Sequence, residues 1–215
     1  METNAYAENR LADAMTALGD AFDYAANDCS VSPDVFFDRF RASSFCEAFE
    51  RGSPRVVSGM SGVELARAVL RETEGREPAA PSRPAFARSP EFWCGWVLAY
   101  AQWRSGRRFS ELRRAMSCAD VLALYPVLHE AGPDTFADRM DERLARVLPG
   151  TRLSRLRAAA GLTQRALAAR AGIGLRSLQM YEQRRKDVNR AEARTVRALA
   201  RALGCRMEDV LEAAP

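Results

Sequence analysis

Residues 161–182 read GLTQRALAARAGIGLRSLQMYE, and their spacing dictates two short helices joined at a sharp corner. Thr163 is placed to cap a helix opening at Gln164, and Leu167, Ala168 and Ala171 then share one face at i, i+1 and i+4. The small side chain of Ala168 lets another helix approach closely. Gly172, one residue past the last apolar position, suits the left-handed conformation that ends a helix, and Ile173 fills the corner behind it. A second helix is predicted over 175–183, with Leu178 and Tyr181 inward and Arg176, Gln179, Met180 and Gln183 outward.

The flanks complete a compact helical domain. Leu153, Leu156 and Ala160 repeat at helical spacing before the corner, and Gly161 ends that helix. Beyond it, Asn189 with Glu192 three residues on predicts a capping box that opens a helix bearing Val196, Leu199, Ala200 and Leu203 and closing at Gly204. A last short helix carries Glu208 and Asp209 in its first turn, where the helix dipole favours them, with Met207, Val210 and Leu211 on its buried side. Five helices are thus expected in roughly sixty residues.

Over residues 151–212 this pattern resembles the lambda-repressor-like, Xre-type helix-turn-helix domain. The resemblance runs from Leu156-Arg157 through Gly161-Leu162-Thr163-Gln164, Leu167-Ala168, Ala171-Gly172, Tyr181-Glu182 and residues 199–204 to Leu211. It implies double-stranded DNA as partner, with the second helix of the corner in the major groove. On the same ground Gln164 bonds a phosphate and braces the recognition helix, while Leu175, Arg176, Gln179 and Met180 stand where base edges are reached. Gln183, Arg185, Lys186 and Asn189 are implied along the DNA backbone, and Arg157 with Glu182 forms a structural ion pair. Two departures stand out. Gly174 offers no capping oxygen to the recognition helix, and Arg184 stands where the family often has glycine, which predicts a longer or differently angled exit. Leu175 and Met180 are apolar and can only touch a thymine methyl, so direct readout falls first to Arg176 on a guanine edge and then to Gln179.

Charge distribution points to the same partner. Residues 152–215 hold 14 Lys or Arg against 6 Asp or Glu, a net of +8, while residues 1–151 hold 18 against 22, a net of −4. One end attracts phosphate and the other repels it. Of the 32 basic residues 31 are arginine, a bias that codon usage explains, but codon usage does not explain the separation of sign.

With 215 residues the chain is long enough for a second core beside the DNA-binding one. No basic-then-apolar leader follows Met1 and no apolar run approaches a membrane span, which predicts a cytoplasmic protein. Cys29, Cys46, Cys94, Cys118 and Cys205 are scattered and odd in number, so reduced, mostly buried thiols are expected.

Residues 1–147 read as a larger all-α region. Leu11, Met15, Leu18, Phe22 and Ala25 predict a helix over 8–26, and shorter ones follow over 34–40 and 44–51. Ser61 caps another through Val63, Leu65, Ala66, Val69 and Leu70, whereas 55–58 is the one stretch with a hint of strand alternation. Between 74 and 90, Pro78, Pro81, Pro84 and Pro90 mark a linker or a surface strap, dividing two subdomains or wrapping one core. A helix resumes at Pro90 and bears Phe92, Trp93, Trp96, Val97, Tyr100 and Trp103, a stripe read first as core. The alternative makes Trp93, Trp96, Tyr100 and Trp103 part of a dimer or partner surface. Further helices are predicted over 109–116, 118–124 and 133–147, the last leading through Pro149-Gly150 into the DNA-binding domain at 151–215.

Nothing in the pattern calls for an enzyme, a metal or another cofactor. His129 has no ligand-type neighbours, Asp134, Asp138, Asp141 and Glu142 lie at the spacing of a solvated helix face, and no phosphate-cradling glycine loop or nucleophile elbow occurs. Two functions remain. One is a bacterial or phage-like transcriptional regulator, probing operator DNA as a homodimer through 151–212 and using 1–147 to dimerise or to sense a signal. The other is an antitoxin-like module whose amino-terminal region holds a protein partner and whose DNA binding autoregulates its operon.

Overall fold

A computed structural model describes residues 4–76, 78–82, 88–147 and 150–212. The chain is all-helical, with no strand among the described residues. It forms two compact units, residues 1–147 and 148–215. None of the described helices is long and apolar enough to cross a membrane.

The first unit contains α1 (Leu11–Asp23), α2 (Pro33–Ala42), α3 (Ser44–Glu50), α4 (Pro54–Val57), α5 (Gly62–Glu74), α6 (Pro90–Ser105), α7 (Phe109–Ala115), α8 (Cys118–Leu128) and α9 (Pro133–Val147). The stretch with strand-like alternation is the short helix α4, opened by Pro54 at its first turn. Helix α8 runs past the predicted end at 124 and carries Pro126 inside it. Ser61 caps α5 through a full capping box with Glu64, as Ser117 caps α8 with Asp120.

Helix α1 is the axis of this unit, packed on α6 and α5. The approach is close because glycine sits at the crossings. A Cβ on Gly95 of α6 would lie 2.5 Å from the Leu18 carbonyl oxygen, and one on Gly62 of α5 would lie 2.5 Å from that of Ala17. Six buried phenylalanines, Phe22, Phe36, Phe37, Phe40, Phe49 and Phe109, fill the space beside α1 through mostly edge-to-face contacts with centroids 5.2–5.8 Å apart.

The α6 stripe lies mainly in the core, the first of its two readings. Trp93 and Trp103 are each 6% exposed, Trp93 packing edge-on against Tyr125 and Phe136. Trp103 donates its indole N–H to the Tyr6 carbonyl, and so ties the amino-terminal segment to α6. Only Trp96 and Tyr100 are half-buried, and the Tyr100 hydroxyl donates to Asp134 at 2.5 Å. The acidic residues of α9 keep their exposed face, and Asp134, Asp138 and Asp141 also converge from it on the Arg104 guanidinium of α6. The Tyr100 hydrogen bond, with Arg104, holds the Asp134 carboxyl below its ordinary range.

The proline-rich stretch falls within the first compact unit and marks no boundary between units. Ala80 is pinned there, its carbonyl accepting from the Tyr24 hydroxyl at 2.6 Å and from Arg67 Nη2 at 2.9 Å. Pro84 lies outside the described residues. All five cysteines are free, with Cys46, Cys94 and Cys118 buried and Cys29 and Cys205 half-buried.

The second unit is built from α10 (Arg152–Ala159), α11 (Gln164–Ala171), α12 (Leu175–Glu182), a 3-10 turn at Val188–Arg190, α13 (Ala193–Leu203) and α14 (Met207–Val210). Its core gathers Leu153, Leu167, Ala168, Leu178, Val188, Val196, Leu199, Ala200, Ala202 and Val210. The predicted capping box at Asn189 is absent. The cap of α13 falls three residues later, at Glu192, with no side-chain cap, because Asp187 captures the Asn189 N–H and winds 188–190 into a turn of its own.

Gly95→Ala is expected to destabilise the first unit by about 1–3 kcal/mol, since the added methyl meets a backbone oxygen that cannot step aside. Chemical denaturation followed by tryptophan fluorescence tests this. An unchanged midpoint would mean that α1 and α6 can separate at no cost.

Candidate nucleic-acid interface

Local chemistry sets the corner between α11 and α12. The Thr163 hydroxyl accepts from the Ala166 N–H at 3.1 Å and opens α11. Gly172 closes it at φ +64°, and the Ile173 N–H returns to the Ala168 carbonyl at 3.0 Å. Ile173 packs on the core, and Leu178, fully buried, locks α12 across it. Gly174 precedes α12 without a side-chain cap, leaving the amides of its first turn available.

A continuous chain of polar contacts braces α12. Glu182, its side chain 4% exposed, accepts two bonds from Arg157 of α10, from Nε at 2.6 Å and from Nη2 at 3.0 Å. Arg157 Nη1 also donates to the Leu162 carbonyl at 2.8 Å, fixing the loop ahead of α11. The hydrogen bonds to Glu182 raise the Arg157 pKa further. Gln164 then donates to Glu182 Oε2 at 2.8 Å, and Gln179 donates to Gln164 Oε1 at 3.5 Å. The line thus runs Arg157, Glu182, Gln164, Gln179 from the domain interior to the outer side of α12.

The residues expected to read bases are placed unequally. Arg176 is exposed and Gln179 half-buried with its amide oriented by Gln164. Leu175 is half-buried and packs against the hydrophobic cluster. Met180, expected to face outward, is buried at 9% exposure. After Glu182 the chain folds back over this end of α12, with the Lys186 N–H bonded to the Met180 carbonyl at 3.1 Å. Only Arg176 and Gln179 of the four thus offer polar groups at the outer side.

The exit also differs from expectation. Arg184 itself adopts φ +58°, the left-handed conformation that glycine would take, and its N–H returns to the Tyr181 carbonyl at 3.1 Å. The exit is therefore a tight turn. Arg184 compensates part of the strain by pairing with Glu212 at 3.5 Å. Gln183 and Lys186 are exposed and Arg185 is half-buried on this turn. Asn189, expected on the DNA backbone, is engaged internally: its Nδ2 donates to the Glu212 carbonyl at 3.1 Å and its Oδ1 accepts the Glu212 N–H at 2.9 Å. Glu212, which sequence reading overlooked, also accepts the Arg152 N–H at 2.7 Å and so joins both ends of the unit. No periodicity announces a contact between residues so far apart in the chain.

Residues 153–210 match the family model described as Helix-turn-helix. The carboxyl-terminal unit is a helix-turn-helix domain of the lambda-repressor-like type. Comparison with curated proteins and with solved structures gives no match. A helix-turn-helix domain makes the chain a DNA-binding regulator in general terms. Within this domain α11 and α12 are the two helices of the motif, α12 being the second.

Arg184→Gly and Arg184→Ala both delete the pair with Glu212 and differ in backbone strain alone. The glycine variant is expected to be the more stable by about 1 kcal/mol, as read by amide hydrogen exchange in α12 and α13 of the full chain. Equal protection in the two variants would show that the turn at 184 relaxes out of the left-handed region.

Proposed function

We propose that the chain is an Xre-type transcriptional regulator that represses by binding operator DNA as a homodimer. The braced polar side of α12 carries this reading. Arg176 offers a guanidinium fork suited to guanine O6 and N7. Gln179, with one N–H given to Gln164, keeps a carbonyl and a second N–H free, the complement of adenine N6 and N7. Because the brace fixes the glutamine before DNA arrives, less side-chain freedom is lost on binding. Gln183, Arg185 and Lys186 lie along the exit turn, where phosphates flank a helix seated in the major groove. The +8 balance of residues 152–215 supplies the long-range attraction.

The first unit, acidic overall, dimerises the protein or senses a signal, and paired recognition helices about 34 Å apart then meet successive major grooves. A regulator of operators resides with the chromosome in the bacterial cytoplasm. Glu182, Arg157 and Gln164 act as positioning residues, and Gln164 adds a phosphate contact through its remaining N–H.

Selection of bound fragments from genomic DNA, followed by fluorescence anisotropy on the selected duplex and on a random one, tests the assignment. Arg185→Ala with Lys186→Ala is expected to weaken both duplexes and to reduce the log–log salt slope by about 0.9 per lost contact. Arg176→Ala is expected to cost about 1–3 kcal/mol on the selected duplex and little on the random one. Failure of the wild-type chain to bind any duplex at low salt overturns the reading.

A further inference from the structure

A second cationic feature lies within the helix-turn-helix domain and uses no residue of α12 or its exit turn. Arg170 and Ala171 of α11 and Arg194, Arg197, Ala198, Arg201 and Ala202 of α13 line an open groove of about 350 Å³. Its lining arginines are exposed, whereas Ala171, Ala198 and Ala202 are half-buried or buried. Arg194, Arg197 and Arg201 follow one another at i, i+3 and i+7, so α13 stacks like charges along one face, which weakens a helix. Arg194 is partly offset by Glu192. Among the described residues no carboxylate lies within ion-pair distance of Arg170, Arg197 or Arg201, and all three are exposed. Arg157 and Arg104, by contrast, are each matched by carboxylates; what sets Arg170, Arg194, Arg197 and Arg201 apart is that they line one groove.

We propose that this groove binds a compact anion carrying two or more linked phosphates, either a free polyphosphate or the phosphate chain of a nucleotide. Guanidinium forks hold phosphate oxygens bidentately, and four of them around one cavity match the charge of a polyphosphate chain. The cavity falls in the size range of small-molecule sites. Duplex DNA fits the groove less well: its phosphates are strung along a convex rod and only one or two reach into a recess between two helices, leaving the remaining cations unmatched. The site is separate from the base-reading side, and its existence does not depend on the proposed operator binding.

The test is calorimetric titration of the full chain with inorganic tripolyphosphate, with ATP and with citrate at moderate salt. Tripolyphosphate is expected to bind, and Arg197→Ala with Arg201→Ala to weaken it about tenfold or more, the loss of two charge-assisted contacts. Arg176→Ala and Arg185→Ala are expected to leave that affinity unchanged. Circular dichroism checks that the double variant, altered only at exposed positions, keeps its helices. ATP binding more tightly than tripolyphosphate assigns the site to a nucleotide, and the reverse assigns it to free polyphosphate. Four results overturn the proposal: no heat with either phosphate, citrate binding equally well, loss of phosphate binding in the Arg176 or Arg185 variant instead, or a salt slope on duplex DNA reduced by about 2 in the double variant. The last would make the groove a DNA-backbone contact.

Discussion

The buried carboxylate of Glu182 is the constraint around which the DNA-binding unit is organised. A charge with a side chain 4% exposed persists only if it is paired and hydrogen-bonded, and here it draws Arg157 from α10 and Gln164 from α11 to the end of α12. Three helices are thereby fixed against one another by two oxygens. Gln179 inherits its orientation from the same source. The apolar core holds α11 and α12 together, but apolar contacts are non-directional and would allow α12 to rotate by part of a turn. The directional bonds to Glu182 remove that freedom, and the rotation of α12 is what decides which side chains face outward.

The sequence made the second unit legible wherever a residue type has one main structural use. Gly172 at the corner, Thr163 at a helix start and the apolar spacing of Leu167, Ala168 and Leu178 each constrain the local backbone and need no distant partner. The outcome was less legible where two local solutions compete. Asn189 and Glu192 have the spacing of a capping box, yet Asp187 two residues earlier takes the available N–H and shifts the helix start. Arg184 illustrates the opposite limit: an arginine carries no sign of a left-handed backbone, and its side-chain partner, Glu212, lies twenty-eight positions away. Met180 sits at an outward position by helical phase, and its burial depends on a return of the chain that periodicity does not encode.

In the first unit the balance differs. The helices over 44–51, 109–116 and 133–147 follow directly from periodicity and caps, but their mutual arrangement depends on glycines whose significance appears only in three dimensions. Gly95 and Gly62 look like helix-weakening residues in the sequence; in the structure they are the points at which α6 and α5 come within van der Waals distance of the α1 backbone. Likewise Asp134, Asp138 and Asp141 have the spacing of a solvated stripe, and Arg104, which gathers them, lies thirty residues upstream. Charge pairing between helices leaves no local trace when each partner is individually at home on a surface.

The exit turn from α12 carries a chemical singularity. Lys186, exposed there, is the only lysine in a chain whose other basic side chains are all arginine. Guanidinium groups resist acylation under conditions that modify a primary amine, so an amine-selective reagent has one side chain to find, and it stands beside α12. A fluorophore or crosslinker would therefore mark this position without cysteine substitution, and cellular lysine acetylation would have a single side-chain target, next to the region assigned to DNA.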